Sequence, residues 1–276
     1  MDDYRRANQA LWDEYTGINA ASPLYELEKF KAGAIKLHPL ERAELEGEVG
    51  GKDLLHLQCH FGMDTLSWAR LGARVTGVDF SPKAIALARS LSEELSIPAR
   101  FVCCDLYDLE RHLEGAFDIV FTSYGVLAWL PDLRGWAELV ARYLRPGGTF
   151  YIAEIHPAGM IFSEKVTEPE WRVGYDYFKD GVAVYQDEGN YADPAAKVEN
   201  NTSYEWMHSL GTVVSELTRA GLCIDYLHEH PFTVYRQFPF LERREDTHWY
   251  LPEGMLRVPL LFSLRAVKGR GKSGEE

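Results

Sequence analysis

The sequence predicts an α/β protein, a doubly wound and mostly parallel sheet with a helical N-terminal extension and a β-rich insertion. Three observations carry that expectation. Strand-like apolar runs alternate with helical patterns from residue 53 onward, which is the rhythm of βαβ units. The stretch Leu54 to Thr65, followed by Arg74 to Ser81, reads as strand, tight turn, helix and strand, ending on the carboxylate of Asp79. Proline, serine and glycine then stand where such helices begin and end.

Taken in order, residues 1–50 read as helical, with Leu11, Trp12 and Tyr15 in one apolar cluster and Tyr25, Leu27 and Phe30 in another. Ala20-Ala21-Ser22-Pro23 parts the two clusters, and the segment is expected to form a lid. Strands are expected near 53–59, 73–79, 99–105, 117–123 and 148–155. Ser81-Pro82 offers a cap and a first-turn proline before Ala84, Ile85, Leu87, Ala88 and Leu91. Arg145-Pro146-Gly147-Gly148 closes a helix over 136–144 and turns into the next strand. After His156-Pro157 the pattern changes to short aromatic runs, read as an antiparallel insertion over 158–205, with Asp180-Gly181 as a hairpin signal between Trp171–Tyr175 and Val182–Tyr185. Val213, Val214, Leu217 and Ala220 restore a helical face that stops at Gly221. Strands over 223–228 and 260–267 complete a core expected to comprise 51–157 and 206–268, and the charged tail 269–276 reads as disordered.

Composition narrows the function. A net charge of -13 over 276 residues repels a polyanion, so no nucleic-acid partner is expected. No run approaches the ~18 apolar residues of a membrane span, and Met1 to Arg6 lacks a signal-peptide core, so the expectation is a cytoplasmic protein with no membrane partner, monomeric or homodimeric. Cys59, Cys103, Cys104 and Cys223 form no C-x-x-C pair and read as reduced, mostly buried thiols, Cys59 as a small filler. His228-x-His230 places two imidazoles on one strand face, but no third ligand is identifiable and no metal is expected.

The first turn carries the most information. In doubly wound folds the ligand lies beyond the carboxyl ends of the strands, and an acidic residue about 20 positions after the first turn binds a ribose. Asp79 stands at that distance from Cys59. Dinucleotide turns need glycines so that backbone amides approach a pyrophosphate, whereas here Gln58 and His60 fill two such places and Gly62 alone remains. A ligand with a ribose and no phosphate suits this turn better, and S-adenosylmethionine is the common one. Asp79 alone serves equally well as a helix cap.

Together the segments resemble the class I S-adenosylmethionine-dependent methyltransferases from Leu54 to Val267. The resemblance implies a Rossmann-like sheet whose last strand runs antiparallel. It implies that Asp79, with Phe80 and Ser81, lies beside the ribose and adenine, and that Asp105 and Leu106 take the adenine amino group and ring. Phe117 to Leu130 is similar to the family's fourth motif, which implies Ser123 as a further cofactor-binding residue, and Leu144 to Gly148 is similar to the loop after it. The chain departs from the family at His56, where an acidic residue is usual, and at Gln58 and His60, which with Gly62 are expected to meet the methionine part. His156, in Glu154-Ile155-His156 at the end of the fifth strand, is the first candidate for a general base or substrate-orienting group, with Tyr124 and His208 behind it. A structural role for each stays open. The implied reaction is in-line methyl transfer to a small organic molecule, leaving S-adenosylhomocysteine. A non-catalytic protein binding the same ligands is the alternative, and a nicotinamide-dependent oxidoreductase is disfavoured because Gln58 and His60 would obstruct a pyrophosphate.

Overall fold

The computed structural model describes residues 1–186 and 188–270. Three helices come first, α1 (Asp3–Ala21), α2 (Leu27–Lys31) and α3 (Pro39–Leu45). The core follows as β1 (Asp53–Leu57), α4 (Met63–Arg70), β2 (Arg74–Asp79), α5 (Pro82–Glu94), β3 (Ala99–Cys103), β4 (Phe117–Ser123), α6 (Leu133–Tyr143) and β5 (Leu144–Ile155). Strands β6 (Val182–Gln186) and β7 (Thr202–Trp206) intervene before α7 (Leu210–Arg219) and β8 (Leu222–His230). The short strands β9 (Phe232–Thr233), β10 (Glu242–Arg243) and β11 (Trp249–Tyr250) then precede β12 (Leu261–Lys268).

Local chemistry sets the helix starts. Asp2 accepts from the Arg5 N–H at the head of α1, Ser81 from Ala84 N–H at α5, Asp132 from Arg134 N–H at α6 and Ser209 from Thr212 N–H at α7. Each cap satisfies a donor that has no partner inside its own helix. Gly221, in the left-handed region at φ 88°, ends α7.

The seven-stranded sheet has the order β3-β2-β1-β4-β5-β12-β8. β1 to β5 are parallel, and β12 runs antiparallel to both neighbours, as the family resemblance implied. Alternation along the strands feeds two cores. Val120, Phe150, Ile152 and Phe262 pack with Trp136 of α6 and Leu217 of α7, while Ile119, Phe121, Tyr151 and Leu261 pack on the other face with Trp68 of α4. Chain order runs outward from β1 to β3 and then restarts at β4, so the topological switch point lies between the ends of β1 and β4.

Three expectations are corrected. Asp180-Gly181 joins no hairpin between Trp171–Tyr175 and Val182–Tyr185, since β6 pairs with β7 instead and Val173 makes only one bridge, to Phe162. Trp171 is drawn aside into a cluster with Phe162 and Phe238. The three-stranded sheet β10-β11-β9 went unforeseen, because its strands are two residues long and too short for a period-2 pattern. Of the cysteines only Cys59 is buried, and Cys223 is exposed. The expected disorder of the tail lies outside the described residues from 271 onward. Among the described residues no helix is long and apolar enough to cross a membrane.

Candidate functional site

Gln58, His60 and Gly62 follow β1 with φ of 56°, 51° and 78°. All three lie in the left-handed region that glycine takes without cost, so two side chains are held where the family turn carries none. Space explains which glycine remains. A Cβ on Gly62 would stand 2.8 Å from the Phe101 ring and 3.0 Å from Ala88, whereas Gln58 and His60 project into a cavity. Gln58 Nε2 donates to Val126 O at 3.0 Å, tying the two loops that flank the switch point. The Oε1 of Gln58 and the Nε2 of His60 are buried and have no hydrogen-bond partner among the described residues. Such atoms cost on the order of 1–3 kcal/mol each when left unpaired.

The cavity these residues line measures about 680 Å³ and runs across the carboxyl ends of the parallel strands. That volume matches small-molecule sites of roughly 300–1,000 Å³. Asp79 lines it at the end of β2, accepting from His60 N–H at 2.8 Å and from Ser81 N–H at 2.9 Å. Burial pushes its carboxyl up to about 6, against the pull of those amides. Asp105 lines the β3 end, capping the turn that follows by accepting from Tyr107 N–H. Phe80 and Leu106 line the same end. Ser81 does not line it, because its hydroxyl is engaged with Asp13 and caps α5.

Helix α1 closes this end through residues on one face. Arg5 Nη1 meets both oxygens of Asp105 at 2.9 Å, Gln9 donates to Phe80 O at 2.6 Å, and Asp13 accepts from Ser81 Oγ at 2.5 Å and Lys83 N at 3.1 Å. Trp12 stands edge-on to His60 and Trp129, each at 5.3 Å between ring centres. Sequence spacing placed these side chains on one helical face but carried no signal of what that face would meet.

Beyond β1 the wall is formed by Ser123 at the end of β4 and Tyr124 just after it, Ile155 at the end of β5, and His38 before α3. Asp64, in the first turn of α4, sits 3.4 Å from Ser123 Oγ, and burial pushes its carboxyl up to about 6. Tyr124 donates to Glu41, which is fully buried, and burial pushes its carboxyl up to about 8. His38, His56 and His60 are pushed down to about 3 by burial and are neutral imidazoles. Asp64 escaped the sequence reading although its place just after the first turn was a usable signal.

Two sequence candidates fall outside the cavity. His156 accepts from Ala158 N–H at Nδ1 and donates from Nε2 to Glu229 at 2.8 Å, which fixes its tautomer and makes it a structural group. His208 donates to Leu130 O at 2.7 Å. It is Ile155, of opposite parity on the strand, that reaches the cavity. Glu154 turns instead to the loop after β4, where its carboxylate accepts from the N–H groups of Gly125, Val126 and Leu127 and so holds the loop that grips Gln58. Of the three residues expected to handle protons or orient substrate, Tyr124 alone lines the cavity.

Residues 55–152 match a family model described as a methyltransferase domain. The ubiquinone biosynthesis O-methyltransferase of Xanthomonas euvesicatoria is 30% identical over 161 residues, which cover 53% of this chain and 67% of that protein. The enzyme of the same name from Chromobacterium violaceum is 26% identical over 156 residues, and the match spans 56% of this chain and only 62% of that relative's length. Among solved structures, an S-adenosylmethionine-dependent methyltransferase from Mesorhizobium loti superimposes with a TM-score of 0.59 at 22% identity, covering 86% of this chain and all of that one.

Proposed function

The chain belongs to the class I S-adenosylmethionine-dependent methyltransferases, and we propose that it moves a methyl group from S-adenosylmethionine to a small organic acceptor held in the same cavity. The observation that carries this reading is the pair of buried, unpartnered polar atoms, Gln58 Oε1 and His60 Nε2, on a left-handed turn beside Asp79. An amino-acid ligand end gives those atoms partners, and a ribose gives the Asp79 carboxylate donors for the lone pairs its two amide contacts leave free. Bound there, the sulfonium supplies an activated methyl group and remains as S-adenosylhomocysteine.

Each residue then has a task. Gln58, His60 and Gly62 shape and contact the methionine part, Asp79 and Phe80 the ribose, and Asp105 and Leu106 the adenine, with Arg5 sharing Asp105. Ser81 acts at one remove by capping α5 and holding α1. Ser123 and Tyr124 face the acceptor. Tyr124 stays a neutral phenol, because burial and its bond to Glu41 raise it well above the ordinary tyrosine value. It therefore orients the acceptor by hydrogen bonding. If the acceptor is a hydroxyl, as the relatives' names suggest, one proton leaves on methylation, and Asp64 is our assignment for its destination. Holding the reactants in a closed pocket is the larger contribution, on the order of 7–11 kcal/mol in favourable intramolecular cases.

Calorimetric titration with S-adenosylmethionine, S-adenosylhomocysteine and NADH tests the reading. We expect both adenosyl ligands to bind, NADH not to bind, and Asp79→Asn to weaken the adenosyl ligands about tenfold or more, as loss of a charged hydrogen bond requires. A folded protein that binds neither adenosyl ligand contradicts it.

A further inference from the structure

The sheet formed by β9, β10 and β11 and its loops contribute to the wall of the same cavity. Its contribution to the wall is Tyr235, Arg243, Thr247 and Trp249. The family topology does not demand this sheet, which is inserted between β8 and β12. Since Asp79 and Asp105 mark the β2 and β3 side, the end beyond β4 and β5 is left to the acceptor. That assignment rests on the reading above.

The cation that this sheet brings to the cavity wall is Arg243, an exposed residue at the end of β10. The Arg243 guanidinium makes no hydrogen bond or ion pair with any described residue, although the chain carries a net charge of -13. Of the hairpin's carboxylates, Asp246 is occupied by Tyr250 and His248, and neither Glu242 nor Glu245 pairs with Arg243 among the described residues. The other cation at this end, Lys36, is paired with Glu26. Both cations line the cavity together with His38. The side-chain donors of Tyr235, Thr247 and Trp249 likewise have no acceptor among the described residues. Thr247 also has φ 71°, which a β-branched residue rarely adopts, and the turn that holds it is closed by Thr247 N–H donating to Arg244 O and Arg244 N–H donating to His248 O. A strained residue at a cavity wall is a mark of a functional constraint. Around these donors the wall is aromatic and apolar, through Tyr124, Ile155 and Val234.

We propose that this end is an anion subsite centred on Arg243, and that the methyl acceptor is a small aromatic carboxylate whose acid group sits on the β9–β11 sheet while its ring faces Tyr124. An arginine fork matches a carboxylate in two parallel hydrogen bonds, which fixes orientation as well as affinity. The opposite end of such a molecule then points toward Ser123 and Asp64, where the reading above puts methyl transfer.

The test titrates the full-length protein, alone and saturated with S-adenosylhomocysteine, with salicylate and protocatechuate and with their decarboxylated counterparts phenol and catechol. Arg243→Gln and Arg243→Lys are measured alongside. We expect the acids to bind about tenfold or more tightly than the decarboxylated compounds, Arg243→Gln to remove that difference, and Arg243→Lys to restore part of it. S-adenosylhomocysteine should bind both variants as it binds the parent, which shows that they are folded. Equal binding of acids and decarboxylated compounds, no binding of any of the four, or an acid preference that survives Arg243→Gln overturns the proposal. Failure of S-adenosylhomocysteine to bind the parent overturns the cofactor reading instead, and the titrations of the protein alone still decide the anion subsite.

Discussion

At the scale of single residues, the first turn separates two reasons for a glycine. One is backbone sign, which Gln58, His60 and Gly62 share, and the other is room, which Gly62 alone lacks. Gly62→Ala should therefore cost about 2–5 kcal/mol, combining left-handed strain of about 1–2 with overpacking against Phe101 of about 1–3. Gln58→Gly should change stability by less than about 1 kcal/mol, because relief of strain offsets the lost bond to Val126 O, while weakening S-adenosylhomocysteine. Thermal melts of the two variants check the contrast, and equal losses would contradict it. The same scale shows what the sequence conveyed. Asp79, Asp105 and Leu106 were legible because each ends or follows a strand at a regular interval. His156 stands one position of strand parity away from the cavity, where Ile155 takes the lining side and Glu154 is consumed in holding three amides. Arg243 and Thr247 carried no signal, because they come from β10 and the turn after it, far along the chain from the motifs.

At the scale of elements, long periodic segments were legible and short ones were not. The parallel strands announced themselves by apolar runs and the helices by their caps, whereas β9, β10 and β11 are held by cross-strand pairing and aromatic packing that no local pattern encodes. Helix α1 was recognisable as a helix, but its contacts lie 68 to 100 positions away, at Phe80, Ser81 and Asp105. Those contacts join the helix to the same residues assigned to ribose and adenine, so ligand and helix stabilise one another. Amide hydrogen exchange over residues 3–21 should slow when S-adenosylhomocysteine binds. Asp13→Ala should speed that exchange about tenfold in the free protein, the effect of losing hydrogen bonds worth about 1–1.5 kcal/mol. Exchange in α1 indifferent to ligand would mean that the helix is only a support.

At the scale of the whole molecule, the fold brings one cavity to the switch point and assigns its two ends to different parts of the chain. The sheet and first turn supply the end with Asp79 and Asp105, and the inserted β9–β11 sheet supplies the end with Arg243. On the proposed reading, the shared sheet builds the ligand end and the inserted sheet the acceptor end of a chain related to known methyltransferases over its central segment. The central claim is that Gln58 and His60, which replace glycines, are ligand-contacting residues. A crystal structure of the complex with S-adenosylhomocysteine tests it most directly. The account predicts ligand atoms within hydrogen-bond distance of Gln58 Oε1 and His60 Nε2 and ribose hydroxyls on Asp79. A complex in which the ligand lies elsewhere, or leaves both of those atoms without a partner, would contradict it.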